Sequence, residues 1–201
     1  MGHPRVTGPA EFFFDLGSPY AWLSAERIDS LFEEAGLELP LWTPVLLGGL
    51  FQRFDRGSWA KTELREGGIS EIERRAREYG LPEPIWPDPW PDSYLFAMRV
   101  ATWAEREGRL REFTLASFRR AFTEGIDQAV PDHVLDSAEA AGLDRAATER
   151  GAADPEVKGA LRSATERAGD LGVTGIPSVV VGETVFWGDD RLADAVSAAR
   201  P

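Results

Sequence analysis

The predicted β-strands of this chain lie at its two ends, and patterns typical of helices fill the long stretch between them. Residues 11–16 form a short, aromatic-rich apolar run that Gly17 ends, as expected of a buried strand. From Pro19 the apolar residues recur at helical spacing as far as Gly36, and residues 37–47 again have the pattern of a strand. The first fifty residues therefore predict a β-α-β unit.

The carboxyl-terminal part of the chain returns to strands. Two β-rich runs meet at Gly182 and Glu183, which predicts a hairpin over residues 176–188, and a short helix is expected near residues 190–199. Helical patterns and a proline-rich connector at residues 81–93 occupy the middle. We predict an α/β domain interrupted by an all-helical insertion, with the α/β domain in residues 1–49 and 166–201 and the insertion in residues 50–165.

Composition and charge restrict the classes of partner. The chain of 201 residues is 43% hydrophobic and carries a net charge of −12 at pH 7. These values are typical of a globular protein and argue against a surface that binds nucleic acid. Arginine pairs such as Arg74-Arg75 and Arg119-Arg120 stand among carboxylates, and we interpret them as solvated helix faces.

Several chemistries are excluded by missing residue types. The chain has no cysteine, which excludes disulfides, cysteine-based zinc sites and dithiol redox chemistry by its own side chains. It shows neither a secretory signal pattern nor an apolar stretch of bilayer-spanning length, so we expect a cytoplasmic protein without a membrane partner. Its two histidines, His3 and His133, are not expected to bind a metal or to act as a base.

Ser18 lies where the first predicted strand gives way to the first helix, directly before Pro19. One interpretation is a helix cap, since the hydroxyl accepts from a backbone amide and proline lacks the amide that it would leave unpaired. The other interpretation is chemical, because a hydroxyl beside the amides of a helix amino terminus favours an anion there, including a thiolate. The motif alone leaves both open.

Pro177 opens an otherwise regular strand and follows Gly175 and Ile176. Proline is tolerated at the start of an edge strand with an ordinary trans peptide bond. Alternatively, a cis bond before Pro177 would expose the backbone N–H and C=O of Ile176, where an extended peptide could pair as an added strand. The spacing by itself is compatible with either conformation.

Two motifs together resemble those of known families. They are FDLGSPYAWL at residues 14–23 and GVTGIPSVVVGETVFWGDDRL at residues 172–192. The combination is similar to that of the 2-hydroxychromene-2-carboxylate isomerases and the kappa-class glutathione transferases, which are DsbA-like members of the thioredoxin superfamily. The resemblance covers nearly the whole chain. It implies a thioredoxin-like fold with an all-helical insertion and a site for glutathione or another low-molecular-weight thiol, with no metal.

The resemblance also implies roles for particular residues. Ser18 stands where the isomerases hydrogen-bond the thiolate of bound glutathione, and Ile176, before a cis-Pro177, would pair with the cysteinyl part of the peptide. Asp189 and Asp190 match the positions that hold the γ-glutamyl amine and carboxylate. A plain helix cap is the alternative for this aspartate pair.

One segment departs from the family pattern. The kappa enzymes hold the tripeptide with an Asn and a Lys after the second strand, whereas residues 46–68 of this chain contain no Asn. Arg56 and Arg65 stand nearest those positions, and Arg65 has the chemistry to grip a carboxylate. The identity of the thiol therefore stays open.

Aromatic residues are frequent near the boundary between the two predicted parts. A flat aromatic substrate site between these parts could be lined by Tyr20, Phe51, Trp59, Trp86 and Trp90. Ordinary packing of aromatic side chains at such a seam is the alternative.

The resemblance implies a thiol-dependent isomerase that acts on an aromatic or unsaturated carbonyl compound through reversible thiolate addition. A kappa-like glutathione transferase would use the same site with a different second substrate. A catalytically silent module that binds extended peptides or partner proteins at the Pro177 edge is the alternative from another class. The expected partner is a small-molecule substrate, and a homodimer is implied because members of the family are often dimers.

Overall fold

The computed structural model describes residues 8–200, and four short strands form a mixed sheet at its centre. The strands are β1 (Glu11–Phe14), β2 (Leu41–Pro44), β3 (Ser178–Val181) and β4 (Thr184–Trp187). Their order across the sheet is β2-β1-β3-β4. β1 pairs in parallel with β2 and antiparallel with β3, and β3 and β4 form the predicted hairpin. The α/β fold expected from the two ends of the sequence is confirmed.

Helices account for most of the remaining described chain. In chain order they are α1 (Pro19–Ala25), α2 (Ile28–Glu34), α3 (Leu47–Arg53), α4 (Arg65–Glu78), α5 (Leu95–Arg106), α6 (Leu110–Glu124), α7 (Pro131–Ala140), α8 (Arg145–Ala153), α9 (Pro155–Asp170) and α10 (Leu192–Ala199). Short 3-10 turns at Trp59–Lys61 and Asp189–Arg191 precede α4 and α10. The run from α4 to α8, which we call the helical block, lies within the insertion predicted over residues 50–165. Within residues 8–200, no helix has the length and apolar character needed to cross a bilayer.

The single helix predicted over residues 19–36 is wrong, because Arg27 divides this segment into α1 and α2. Arg27 has φ −125° and ψ −27°, outside the helical range. Its guanidinium donates to the backbone oxygen of Leu23 at 2.8 Å and to that of Asp189 at 2.7 Å. The second partner lies 162 positions away, so the local helical pattern could not indicate the break.

The apolar run of β1 is continuous because both faces of the strand are buried. Phe12 and Phe14 point to one face, where their ring centroids lie 5.2 Å and 5.8 Å from that of Trp42. Phe13 points to the other face, as strand alternation requires. It packs there in a second apolar cluster that includes Val45, Leu50, Val173 and Val180. A strand covered on both sides shows no apolar–polar alternation in its sequence.

The sheet and the helical block share a continuous core. Trp22 of α1 and Phe122 of α6 are fully buried, with ring centroids 5.7 Å apart. Trp86 of the proline-rich connector packs edge-on against the same Phe122 at 5.9 Å. The predicted insertion boundaries at residues 50 and 165 fall inside α3 and α9 and stay a prediction.

Candidate functional site

Ser18 occupies the turn between β1 and the first residue of α1. Its backbone N–H donates to the Asp15 carbonyl oxygen at 3.0 Å, and its hydroxyl oxygen accepts from the Ala21 N–H at 3.2 Å, so Ser18 does cap α1. The residue is 5% exposed. A hydroxyl that accepts one bond still has its own hydrogen to donate. The capping and the chemical interpretation are therefore compatible in this geometry.

The buried carboxyl group of Asp15 stabilises this turn through two hydrogen bonds. One of its oxygens accepts from the Gly17 N–H and the other from the Leu47 N–H at the start of α3, each at 2.8 Å. Burial raises the pKa of Asp15, and the two amide bonds oppose that rise. Position 17 requires glycine because a Cβ atom there would lie 2.8 Å from the Tyr94 ring. No local pattern indicates the role of Asp15, since its partner Leu47 belongs to a different element.

The peptide bond between Ile176 and Pro177 is cis and directly precedes β3. The Pro177 oxygen accepts from the Gly188 N–H at 3.0 Å, which ties this unit to the turn after β4. Position 175 requires glycine because a Cβ atom there would lie 2.8 Å from the indole nitrogen of Trp187. The backbone around the cis bond is thereby held against the second strand of the hairpin.

Ser18 and the Ile176–Pro177 unit line one cleft of about 410 Å³ between the sheet and the helical block. Ligand pockets usually measure roughly 300–1,000 Å³, so the cleft has the size of a small-molecule site. Of the site residues that the sequence predicts, the cleft brings together Ser18, Tyr20, Phe51, Trp90, Ile176, Pro177, Asp189 and Asp190. It also includes Trp59.

Two predicted site residues do not line this cleft. The Trp86 indole packs against Phe122 and donates to Glu73 at 3.2 Å, so it belongs to the packing behind the cleft. Arg65 donates to the backbone oxygen of Trp90 at 3.1 Å and thus holds the proline-rich connector. Neither side chain therefore faces this cleft, and their roles in ligand binding stay a prediction.

Aromatic rings form one wall of the cleft. The ring centroids of Tyr20 and Trp59 are 6.0 Å apart, and those of Trp59 and Trp90 are 5.6 Å apart. The Tyr20 hydroxyl donates to Glu71 at 3.3 Å, and burial together with the Glu71 charge raises the pKa of Tyr20 to about 12. Tyr20 therefore stays protonated at neutral pH, and this wall offers flat, uncharged surfaces.

The two aspartates of the predicted site have different environments. Asp189 is 1% exposed, and its carboxylate accepts from Arg75 at 2.6 Å and from the Tyr79 hydroxyl at 2.9 Å. Burial raises the pKa of Asp189, while the charges of Arg75 and Arg27 act in the opposite direction. The Asp190 side chain is 56% exposed and lies 3.6 Å from Arg75. Of the two, Asp190 is the carboxylate available to a ligand ammonium group.

The prediction that Arg75 lies on a solvated helix face is wrong. Its side chain is 17% exposed, lines the cleft and bridges Glu71 and Asp189, at 2.6 Å each. The neighbouring Arg74 is 52% exposed and pairs with Glu78, so within this arginine pair only Arg74 fits the prediction. Helical periodicity could not indicate the buried pair because Arg75 and Asp189 are 114 positions apart.

Arg56 and Trp187 also line the cleft. The resemblance places Arg56 only near a ligand position of the kappa enzymes, and no motif assigns a role to Trp187. The central guanidinium carbon of Arg56 lies 4.4 Å from the Trp187 ring centroid, and the guanidinium donates to the Thr174 hydroxyl at 3.2 Å. Trp187 ends β4 next to the buried Phe186, and strand alternation therefore turns its ring outward. The alternation of buried and exposed residues along β4 is the sequence feature that could have indicated the exposed position of Trp187. The pair places a cation beside the cis peptide unit.

Metal-binding side chains do not cluster in the part of the chain that the structure describes. Among residues 8–200, no group of three or more His, Asp or Glu side chains could hold a metal ion. His133 Nδ1 lies 2.8 Å from the backbone oxygen of Asp127. His3 lies outside the described residues.

A known family matches the chain over almost its whole length. The match is to the DSBA-like thioredoxin domain, over residues 10–199. The chain belongs to this family. Membership agrees with the sheet order, the helical block and the cis proline at the start of β3 described above.

The proteins to which this DsbA-like chain is similar carry different names, an isomerase in sequence and an isomerase and a probable oxidoreductase in fold. The chain is 26% identical over 194 residues to a 2-hydroxychromene-2-carboxylate isomerase of Sphingobium xenophagum, covering 93% of this chain and 95% of the relative. A solved structure of a 2-hydroxychromene-2-carboxylate isomerase matches with a TM-score of 0.82 at 22% identity, over 95% of this chain and 94% of that one. A probable DsbA oxidoreductase from Streptomyces coelicolor matches with a TM-score of 0.71 at 19% identity, over 95% and 89%.

Proposed function

We propose that this DsbA-like protein is a thiol-dependent isomerase of the 2-hydroxychromene-2-carboxylate isomerase type, acting on an aromatic or unsaturated carbonyl compound. The observation that carries the proposal is the common cleft of the Ser18 hydroxyl and the cis Ile176–Pro177 unit. The sequence relative with isomerase in its name supports the reaction class. The lack of cysteine in the chain argues against a dithiol mechanism at the same place.

The Ser18 side chain is suited to hold a sulfur anion. A free cysteine-type thiol has a pKa of about 8.5, so its thiolate must be stabilised to predominate at neutral pH. The Ser18 oxygen is already engaged with the Ala21 N–H, and its hydrogen remains to donate into the cleft. When bound, the small thiol would supply a nucleophile whose addition converts the conjugated C=C bond into a single bond that can rotate, and whose expulsion restores the double bond in the isomer.

The remaining charges of the cleft suit a peptide-like thiol such as glutathione. The backbone of Ile176 can pair with an extended ligand as an added strand. Asp190 is placed to accept from an ammonium group, while Arg56 and Arg75 supply cations for carboxylates. Asp189 acts through Arg75, whose guanidinium it orients at the cleft wall. Glutathione and other small thiols with this pattern of charges therefore fit the cleft.

Thermal unfolding in the presence of a panel of small thiols tests the proposal. A ligand present at about 100 times its Kd adds about 2.7 kcal/mol to the free energy of unfolding, and we expect at least one thiol to raise the Tm of the wild-type protein. Ser18→Ala should reduce this rise, because the hydrogen bond to the thiolate is lost, and should also lose about 1 kcal/mol of stability through the missing cap.

Asp144→Ala is the matched control for the lost cap. Asp144 caps α8 by accepting from the Ala147 N–H at 2.8 Å, and it is exposed. This variant should lose similar stability and keep the response to thiol. If no thiol raises the Tm of the wild-type protein, or if both variants lose the response alike, the proposal fails. An absorbance assay with benzylidenepyruvates then separates isomerisation, which restores the conjugated chromophore, from transfer, which leaves the thiol attached.

A further inference from the structure

The turn that carries Ser18 is attached to the helical block through a sulfur atom. The backbone N–H of Leu16, two residues before Ser18, donates to the Sδ atom of Met98 at 3.2 Å. Leu16 follows β1, whereas Met98 belongs to α5, and 82 positions separate them. Leu16 is 1% exposed and Met98 is fully buried, so this bond is shielded from water. The contact therefore links α5 directly to the segment that follows β1.

A thioether is an unusual acceptor for a backbone amide. Sulfur accepts hydrogen bonds weakly, and most buried N–H groups pair with oxygen atoms. An N–H that is buried without any acceptor is destabilising, because it has lost its hydrogen bonds to water. The Met98 sulfur thus has a role that an alkyl side chain of the same shape could not fill.

Tyr94 makes a second contact with the same turn. It directly precedes α5, and its carbonyl oxygen accepts from the Met98 N–H at 2.9 Å, so the two side chains lie one helical turn apart on one face. The Tyr94 ring lies against Gly17, where a Cβ atom would be 2.8 Å from the ring. Leu16 and Gly17, the two residues directly before Ser18, are therefore both held by this end of α5.

The orientation of the Ser18 hydroxyl depends on this turn. The Ser18 N–H donates to the Asp15 carbonyl oxygen at 3.0 Å, so residues 15–18 form one hydrogen-bonded unit. The hydroxyl oxygen is engaged with the Ala21 N–H, which limits the directions open to its hydrogen. Hydrogen bonds weaken steeply as they depart from linearity. A small displacement of the turn would therefore weaken a bond from this hydroxyl to an anion in the cleft.

We propose that Met98 is a positioning residue of the site, whose sulfur holds the Leu16 N–H and thereby fixes the direction of the Ser18 hydroxyl. The helical block then contributes more than a wall of the cleft, because it sets the geometry of the group that would bind the anion. The anchoring of the turn needs no ligand, whereas its effect on a bound thiolate rests on the proposed function. The two proposals can therefore fail separately.

The low number of methionines allows the Met98 sulfur to be replaced with little other change. The chain contains two methionines, and Met1 lies outside the described residues. Incorporation of norleucine puts a CH2 group in the place of each sulfur and keeps the length of the side chain. Selenomethionine keeps an acceptor at the same position and is the matched control. Met98→Leu, in which Met1 is unchanged, checks that the norleucine effect arises at position 98.

Hydrogen exchange of the Leu16 amide measures the anchoring without thiol. We expect this amide to exchange about threefold to tenfold faster in the norleucine protein than in the selenomethionine protein, because its acceptor is lost. The Val45 amide, which donates to the Phe14 oxygen at 3.0 Å in the adjoining sheet, should exchange within about twofold of the same rate in both proteins. Equal rates for the Leu16 amide would overturn the proposal.

The effect on the site is measured with a thiol that raises the Tm of the wild-type protein. We expect the pKa of the bound thiol, followed by the ultraviolet absorbance of its thiolate, to rise by about 0.5 or more in the norleucine protein. In the Ser18→Ala background the same replacement should leave this pKa unchanged, since Met98 acts through Ser18. Val100, which is fully buried on α5 and lies about 200° around the helix from Met98, provides the control for a general loss of stability. Val100→Ala should not change the pKa of the bound thiol.

The outcomes separate the two proposals. If the bound thiol keeps its pKa in the norleucine protein, Met98 is a packing residue and the inference is overturned. A change of this pKa that is equally large with and without the Ser18 hydroxyl would also overturn it. If no thiol binds, the proposed function fails, and the exchange of the Leu16 amide alone decides whether Met98 holds the turn.

Discussion

Asp15 shows how a single buried group supports the site without lining the space next to Ser18. Its two oxygens fix the turn that carries Ser18 and the start of α3, the helix that brings Phe51 to the cleft. The fold removes this carboxyl from water, and burial raises its pKa above the ordinary value of 3.8. Stability should therefore depend on pH through this residue.

We expect the stability difference between wild-type protein and Asp15→Asn to shrink as pH rises. A carboxyl whose pKa is raised in the folded state binds more protons there than in the unfolded chain. Its contribution is fully present below pH 3.8 and is lost as pH rises through the folded-state pKa, by at most about 1.4 kcal/mol per pH unit. Urea unfolding of both proteins from pH 3.5 to pH 7 measures this difference. A difference that stays constant or grows with pH would contradict the assignment.

At the scale of elements, a buried ion pair connects α4 of the helical block to the turn before α10. Arg75 and Asp189 are both largely buried, whereas the adjacent Arg74 pairs with Glu78 at the surface. Successive residues on a helix differ by about 100° in direction, which separates the two arginines into different environments. The helix offers an internal comparison of buried and exposed ion pairs.

We expect Arg75→Leu to lower the free energy of unfolding by about 3 kcal/mol and Arg74→Leu to lower it by less than about 1 kcal/mol. The first change leaves the buried Asp189 carboxylate with fewer partners, and the second removes an exposed pair. Adding Asp189→Asn to Arg75→Leu should recover part of the loss. Urea unfolding measures all three variants, and equal losses for the two single variants would contradict this account.

The elements that neighbouring residues in the sequence specify could be predicted. The features that depend on contacts between distant residues could not. The β3–β4 hairpin is specified by Gly182 between two apolar runs, and α9 by Asp154 and Pro155 at its start. The break at Arg27 depends on the carbonyl of Asp189, which only the folded chain brings near. The same distinction holds in the site: Ser18 and Pro177 belong to recognisable motifs, whereas Arg75 gains its role from tertiary contacts.

At the scale of the whole molecule, sheet and helical block are stabilised by the same aromatic contacts. Phe122 lies between Trp22 of the α/β part and Trp86 of the connector, at 5.7 Å and 5.9 Å between ring centroids. A cavity at this position removes contacts on both sides at once. The two parts should therefore unfold together.

We expect Phe122→Ala to lower the free energy of unfolding by about 3–5 kcal/mol and to preserve a single transition. Tryptophan fluorescence and far-UV circular dichroism should give coincident urea curves for the wild-type protein and for the variant. Leu64→Ala, at a position that is 63% exposed, should change stability by less than about 0.5 kcal/mol. Separate transitions for the two probes would show that the helical block unfolds by itself.

Because β1 and β3 are hydrogen-bonded neighbours, with Phe13 paired to Ser178, the end of one strand meets the beginning of the other. The pairing of these strands thus sets the relative position of the Ser18 hydroxyl and the cis Ile176–Pro177 peptide unit. The length of chain that connects the two strands does not affect it. Chimeras could exchange α6 to α8 for a different bundle and retain this pair. Evolution could likewise change the ligand that the cleft accepts while conserving this pair of groups.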